Sequence, residues 1–270
     1  DQPRSRGLGD VYKRQGLVLL DTSTCLVTVV CTMTVRRALA ADAPQRAATQ
    51  SDDDHGFMAG WRTIAASPGL RTLVTLMTLA TLAVGVIQVL IKPILLPTVS
   101  TSEMGVIETV AATGMLVGAA LVTAWKSAQP TTLLAAGLAG SGAAMVLVPL
   151  GPGAWWMAAC GFLTFASLPL SQAGAEVLVR TRVDNARQAR TWGTISLVTQ
   201  MGYLVAYLCS GVVVDRVLQP LLEPGQALST SIGAVIGTGP GRGAALLVGL
   251  MGLVMALVAL GVHLRRRRLT

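Results

Sequence analysis

Seven long apolar runs dominate the hydrophobic pattern of the chain, near residues 16–35, 71–97, 104–125, 131–150, 154–179, 192–214 and 243–263. A helix that crosses a bilayer needs roughly 20 mostly apolar residues, and each run is about that long. A membrane β-barrel would instead show segments of about ten residues that alternate apolar and polar positions. These runs are apolar all round, so the sequence predicts an all-α integral membrane protein.

The composition agrees with this prediction. Hydrophobic residues make up 52% of the chain and charged residues only 13%, so one water-soluble core cannot bury the apolar surface. The cysteines lie inside the apolar runs and lack the spacing of a zinc site or a disulfide framework. We expect all four to be small buried hydrophobic residues; they are Cys25, Cys31, Cys160 and Cys209.

Basic residues collect at alternate ends of the predicted helices. Short cytoplasmic loops retain Lys and Arg. One set of alternate helix ends has few basic residues, namely Lys92, Arg216 and Arg242. We therefore place the other set, the linker and the C-terminal tail in the cytoplasm, with the spans in the plasma (bacterial inner) membrane. The net charge of +8 then needs no nucleic acid as a partner. The cytoplasmic set comprises Arg36, Arg37, Arg46, Arg62, Arg71, Lys126, Arg180, Arg182, Arg187, Arg190 and Arg265 to Arg268.

The first 15 residues do not fit a secretory signal. The apolar run that follows them is too long, carries Asp21 and lacks a small-residue cleavage site. Translated back to codons, residues 5–15 resemble a sequencing-library adapter that ends in a transposase recognition sequence. We therefore treat residues 1–15 as an adapter-derived artefact, and we expect helices that precede Gly16 in the natural protein to be missing.

The segment 38–70 predicts a cytoplasmic linker. Its first part is polar and poor in aromatic residues, which is typical of flexible chain. The string DDDH at residues 52–55 predicts a solvated acidic loop, because four adjacent residues do not easily converge on one metal ion. Phe57, Trp61 and Ile64 recur at helical spacing and predict a short helix at the inner membrane surface. Pro68 and Gly69 then turn the chain into the second span.

This order of elements resembles one part of a major facilitator superfamily transporter: the sixth helix (16–37), the central loop (38–70), the C-terminal six-helix domain (71–264) and a basic tail (265–270). Four strings are similar to its exporter branch, which includes macrolide-efflux and siderophore-export permeases. They are GLVLLDTSTCLVTVV around Asp21, GWRTIAASPGLRTL, VRTRVDNARQARTWG with Arg182 and Arg190, and SGVVVDRVLQPLLEPGQALSTSIGAVIGTGPGRG. In the third string the branch more often has Pro and Gly where this chain has Asp184 and Ala189.

The resemblance implies a fold and a function. It implies the C-terminal half of a major facilitator fold, truncated at its N-terminus, in a proton-coupled exporter of amphipathic drugs or secondary metabolites. The implied partners are membrane lipid, protons, an amphipathic substrate and the missing helices, with no cofactor, metal or nucleic acid. A membrane-embedded enzyme and a non-transporting membrane partner are the alternatives. An enzyme would need clustered acid-base groups, yet the histidines are His55, in the linker, and His263, near the tail.

Charged residues inside the spans are candidate transport residues, because a charge near a helix centre costs about 2.5 to 3.5 kcal/mol. Asp21 is expected to take up a proton or to pair with another helix. Lys92 and Glu108 flank a short outer loop at comparable depth, which predicts a salt bridge or an outer gate. Glu176 precedes Arg180 by one helical turn, which favours an intrahelical ion pair.

Uncharged polar residues in the spans extend this set. Gln88, Gln172 and Gln200 are long amides that can bond a substrate or a neighbouring helix. Tyr203 and Tyr207 lie four residues apart, which suits either an amphipathic substrate or core packing. Finally, GTGPGRG at residues 237–243 lacks the Lys-Ser or Lys-Thr of a phosphate-binding loop and predicts a turn into the last helix.

Small residues recur inside the spans and predict helices that pack closely, either to slide during transport or as ordinary packing. They are Gly114, Gly118, Gly137, Gly140, Gly142, Gly249 and Gly252.

Overall fold

The computed structural model describes residues 4–41, 57–125, 127–151, 153–223, 226 and 230–264, and the regular structure in these ranges is helical. Residues 42–56 of the predicted linker, which include the acidic string at 52–55, lie outside them, as do Lys126 and the tail at 265–270. The elements are α1 (Arg4–Ala41), α2 (Phe57–Ala66), α3 (Pro68–Leu95), α4 (Thr101–Ala124), α5 (Pro130–Leu147) followed by a 3-10 turn (Val148–Leu150), α6 (Ala154–Arg180), α7 (Asn185–Val213), a π turn (Val214–Leu218), α8 (Gln219–Leu221), α9 (Ile232–Ile236) and α10 (Arg242–Leu264).

The helices divide into two units, Asp1–His55 and Gly56–Thr270. Within the described ranges, seven helices are long and apolar enough to cross a membrane, as predicted, and Val18–Arg37 in α1 is the first. Large apolar side chains such as Leu116, Trp155 and Leu208 remain exposed on the second unit. Helices with apolar residues on their outer faces as well as inside are typical of a multi-pass membrane protein.

The described part of the first unit, residues 4–41, is one helix, and several of its hydroxyl side chains are bonded locally. Thr22, Thr28 and Thr32 donate to backbone carbonyl oxygens one turn earlier, at 2.7 to 2.9 Å. Such bonds satisfy a hydroxyl group without a partner from another helix. The threonine-rich run is therefore compatible with a helix in lipid.

The short helix α2 differs from the prediction in its orientation. Ile64 is only 3% exposed and Gly60 is buried against Thr194 of α7, whereas Trp61 is 45% exposed. The predicted apolar face is therefore shared between two sides of the helix. Pro68 and Gly69 do not form a separate turn: Ser67 alone interrupts the helices, and its Oγ accepts a bond from the Leu70 amide at 3.4 Å, so Pro68 begins α3.

The sixth span is longer than the predicted range of 192–214. α7, the π turn and α8 form one apolar helical segment from Arg187 to Leu221, 35 residues long. In the π turn the backbone N–H of Gln219 donates to the Val214 carbonyl oxygen, five residues earlier. Pro220, which lacks an N–H donor, follows directly. The π turn therefore lies just before a residue that cannot donate the next helical hydrogen bond.

The six long helices of the second unit form a row in which each packs on its neighbours in the order α7, α3, α10, α5, α6, α4, and α3 also touches α6. Exchanging α3 with α6, α4 with α7 and α5 with α10 leaves this list of pairs unchanged. The unit therefore has the contact pattern of two three-helix sets related by an approximate twofold axis. The connections from α3 to α4, from α4 to α5 and from α6 to α7 are short, so these consecutive helices alternate in direction.

Glycines let the backbones in this row approach closely. A methyl group at Gly118 of α4 would overlap the Ala166 carbonyl oxygen of α6. One at Gly252 of α10 would lie 2.6 Å from the Gly142 oxygen and the Val146 nitrogen of α5. The predicted close packing of the small residues is therefore confirmed at these contacts.

The turn before α10 has the predicted conformation. Gly237, Gly239 and Gly241 have φ angles of 84°, 130° and 78°, a region that favours glycine. Gln219 holds the turn, since its Nε2 donates to the Gly239 oxygen and its Oε1 accepts from the Gly243 amide, both at 3.1 Å.

The prediction that all four cysteines are buried is wrong. Cys160 is buried, but Cys25, Cys31 and Cys209 are exposed. In a membrane helix an apolar run continues around the lipid-facing side, so apolar neighbours do not imply a position inside the protein.

We predict that Gly252→Ala lowers the free energy of unfolding by about 1 to 3 kcal/mol, because the added methyl group meets backbone atoms of α5. Gly261→Ala on the same helix is the matched control, since its methyl group meets no heavy atom within 4 Å. It should raise stability by about 0.5 to 1 kcal/mol through helix propensity. Unfolding by sodium dodecyl sulfate in mixed micelles measures both, and equal effects would contradict the packing.

Candidate functional site

A cavity of about 520 Å³ lies in the second unit between α3, α4, α5, α6 and α7. Its size falls within the range of small-molecule sites, and most of its wall is apolar, as in such sites. It lies toward the α6–α7 connection, the end at which Arg180, Arg182, Arg187 and Arg190 collect. Its lining residues are Leu76, Met77, Ala80, Thr81, Val84, Ala119, Val122, Leu134, Leu138, Leu168, Pro169, Ser171, Gln172, Ala173, Ala175, Glu176, Trp192, Thr199 and Tyr203.

The hydroxyl groups of the Thr and Ser residues in this wall are used by the protein itself. Thr81 Oγ1 donates to the Thr199 carbonyl oxygen across the α3–α7 contact at 2.8 Å. Ser171 Oγ donates to the Leu168 oxygen at 2.8 Å, and Thr199 Oγ1 to the Ser196 oxygen at 3.0 Å. The hydrogens of these hydroxyl groups are used in bonds to the backbone, so the groups can accept a bond from a ligand but cannot donate one.

Four other polar side chains of the wall keep their capacity. The amide of Gln172, the indole of Trp192 and the hydroxyl of Tyr203 make no side-chain hydrogen bond within the described part of the chain, and Glu176 has only an ion pair. The structure thus brings together three predicted site residues, Gln172, Glu176 and Tyr203. Trp192 was missed because it directly follows the charged loop, although a tryptophan at a span boundary was a usable signal.

The predicted ion pair between Glu176 and Arg180 is confirmed. The Glu176 Oε1 and Arg180 Nη2 atoms are 4.0 Å apart, with the side chains 56% and 62% exposed. A pair this long and this exposed is weak. Glu176 lines the cavity and Arg180 does not, and within the described lining the Glu176 carboxylate is the one formal charge.

The two predicted tyrosines have different surroundings at the contact between α3 and α7. Tyr203 packs beside Gly85 and faces the cavity, whereas Tyr207 is 52% exposed and donates from Oη to Gln88 Oε1 at 2.9 Å. Their ring centroids are 6.1 Å apart with the planes tilted by 44°. Gln88 and Tyr207 therefore bond one helix to the other and do not line the cavity.

Three further predicted residues, Lys92, Glu108 and Gln200, are exposed and lie outside the cavity lining. The prediction of a salt bridge between Lys92 and Glu108 is wrong. Within the described part of the chain, these two side chains do not form an ion pair. α3 packs mainly against α7 and α10, whereas α4 packs against α6. Adjacency along the chain therefore does not place the two side chains together.

The remaining predicted residues are not among the residues that line the cavity. Asp21 is exposed on α1, in the other unit. Arg182 and Arg190 are half-buried beside the α6–α7 connection, where the Arg182 guanidinium lies near Gly69. Gln188 fixes this connection, because its Nε2 donates to the Arg180 and Val183 oxygens, each at 3.3 Å. Within the described ranges, no three His, Cys, Asp or Glu residues are grouped to hold a metal ion.

We predict that Tyr207→Phe and Gln88→Leu each lower the free energy of unfolding by about 0.6 kcal/mol and that the double variant costs less than their sum. Tyr203→Phe is the matched control, since its hydroxyl has no such partner, and it should leave stability unchanged. Equal losses in Tyr203→Phe and Tyr207→Phe would contradict the assignment.

For the unpaired charges, we expect Lys92→Ala and Glu108→Ala to be additive in stability within about 0.5 kcal/mol. The same unfolding assay measures this double-mutant cycle. A larger coupling energy would show that the two charges interact.

No family model, curated protein or solved structure matches the chain.

Proposed function

We propose that this chain is the C-terminal half of a major facilitator superfamily exporter. In the complete protein it would help to expel amphipathic drugs or secondary metabolites across the plasma (bacterial inner) membrane in exchange for protons. The observation that carries the proposal is the cavity: its wall is apolar, and its few uncommitted polar groups lie on α6 and α7. A site of this kind suits a molecule with a large apolar body and few polar groups.

The arrangement of the helices supports the same proposal. Each of the two sets, α3 to α5 and α6, α7 and α10, has three spans, so the sets start on opposite sides of a membrane. Repeats inverted in this way are typical of secondary transporters, whose substrate sites lie where the repeats meet. Both sets supply lining residues: Ala80 and Leu138 belong to the first, and Gln172 and Tyr203 to the second.

The residues of the cavity have distinct roles in this proposal. The apolar side chains bind the body of the substrate by the hydrophobic effect. Gln172, Trp192 and Tyr203 orient it through hydrogen bonds and aromatic contacts. Asp21 and Glu176 are the candidates for proton coupling. The proposal assigns no catalytic residue and no cofactor.

The proposal is tested by a transport assay of the protein encoded by the complete reading frame, in proteoliposomes with an imposed pH gradient. We expect gradient-dependent movement of amphipathic compounds. Ala119→Trp, which fills the cavity from α4, should reduce the rate by about tenfold, equivalent to about 1.4 kcal/mol. Ala120→Trp is the matched control, because Ala120 is the next residue on the helix and does not line the cavity. Movement that ignores the gradient, or equal loss in both variants, would contradict the proposal.

A further inference from the structure

We infer that the cavity binds a singly positive amphipathic molecule, whose cationic group takes the place of Arg180 beside Glu176. The inference rests on the proposed function in that the bound molecule would be the transported one. Binding, however, is measured separately from transport. The observation behind it is the ion pair between Glu176 and Arg180, of which Glu176 lines the cavity and Arg180 does not.

The charge of the wall selects the class of ligand. A molecule that fills the cavity would displace water from the cavity-facing part of the Glu176 side chain, which is 56% exposed. A neutral or anionic molecule would leave that carboxylate poorly compensated, which is unfavourable in an apolar site. A cation compensates it. The resident cation, Arg180, is 4.0 Å away and 62% exposed, so it is easily returned to solvent.

The neighbouring side chains complete a site for a cationic group. Gln172 precedes Glu176 by one turn on the same face of α6, and its amide oxygen can accept a bond from an ammonium group. Trp192 and Tyr203 present aromatic rings from α7, and ring faces attract cations. All four line one cavity, so electrostatic, hydrogen-bonding and aromatic contacts lie on the α6–α7 side.

The rest of the wall defines the orientation of the ligand. Ala80 and Val84 of α3 and Leu138 of α5 are apolar lining residues. The cationic group therefore lies toward α6 and the cytoplasmic end, and the apolar body lies against α3 and α5. The volume of about 520 Å³ admits a molecule of drug size.

Binding of two ions of matched shape and opposite charge tests the inference. The purified 270-residue chain in an uncharged detergent is titrated with radiolabelled tetraphenylphosphonium and, separately, with tetraphenylborate. We expect saturable binding of the cation and none of the anion. Equal binding of both ions, or no saturable binding by a monodisperse chain, would overturn the inference.

The two partners of the ion pair should respond in opposite directions. Glu176→Gln removes the counter-ion and should weaken binding of tetraphenylphosphonium by about tenfold, whereas Arg180→Gln removes the competitor and should strengthen it by about threefold. Glu108→Gln is the control, because the Glu108 carboxylate lies outside the cavity lining. The affinity of this variant for tetraphenylphosphonium should equal that of the unchanged protein. A purely structural ion pair would give losses of the same sign in Glu176→Gln and Arg180→Gln, and that result would refute the site.

A lipid with an amine headgroup could supply the same cation. Phosphatidylethanolamine and phosphatidylglycerol are therefore added as competitors. Competition by neither supports a soluble cationic ligand, whereas competition by phosphatidylethanolamine alone refutes the cargo role. The affinity for the cation could change in the Glu176 and Arg180 variants as expected while the complete protein transports nothing in proteoliposomes. That result would uphold this inference and refute the transport proposal. Gradient-driven transport with unchanged binding in Glu176→Gln would do the reverse.

Discussion

Contact between backbones at glycine is the interaction on which the rest of this structure depends. In lipid, apolar side chains gain little by leaving the solvent, so close packing decides which helices associate. Gly118 brings α4 to α6, Gly142 and Gly252 bring α5 to α10, and Gly85 and Gly202 bring α3 to α7. These contacts produce the row of six helices. The cavity lies between the α3–α7 pair and the helices α4 to α6.

The chemistry of the cavity follows from which polar groups the fold has already used. Hydroxyl groups of the wall bond to backbone oxygens of their own or neighbouring helices, as Thr81 does with Thr199. The groups that remain are Gln172, Glu176, Trp192 and Tyr203. An apolar space with one carboxylate and two aromatic side chains favours amphipathic cations over other ligands, so the specificity that we infer results from the packing.

The sequence predicted the spans well, because length and hydropathy are local properties. It did not predict partners: Lys92 and Glu108 are close along the chain, but their helices pack in different places. Polarity inside a span identified Gln172, Glu176 and Tyr203 as site candidates, yet it could not separate them from Gln88 and Tyr207, which bond helix to helix. Gln219 was missed because its role depends on a turn some 20 residues away.

The alternating direction of the spans can be tested by the accessibility of single cysteines. The four native cysteines are replaced by serine, and one cysteine is introduced at Ala128, Asp184, Ser100 or Gly153, each in a connection between long helices. We predict that a membrane-impermeant maleimide labels positions 100 and 153 from one side of the membrane and positions 128 and 184 from the other. Labelling of positions 128 and 184 from opposite sides would contradict the alternating spans, and with them the cavity and the proposed transport.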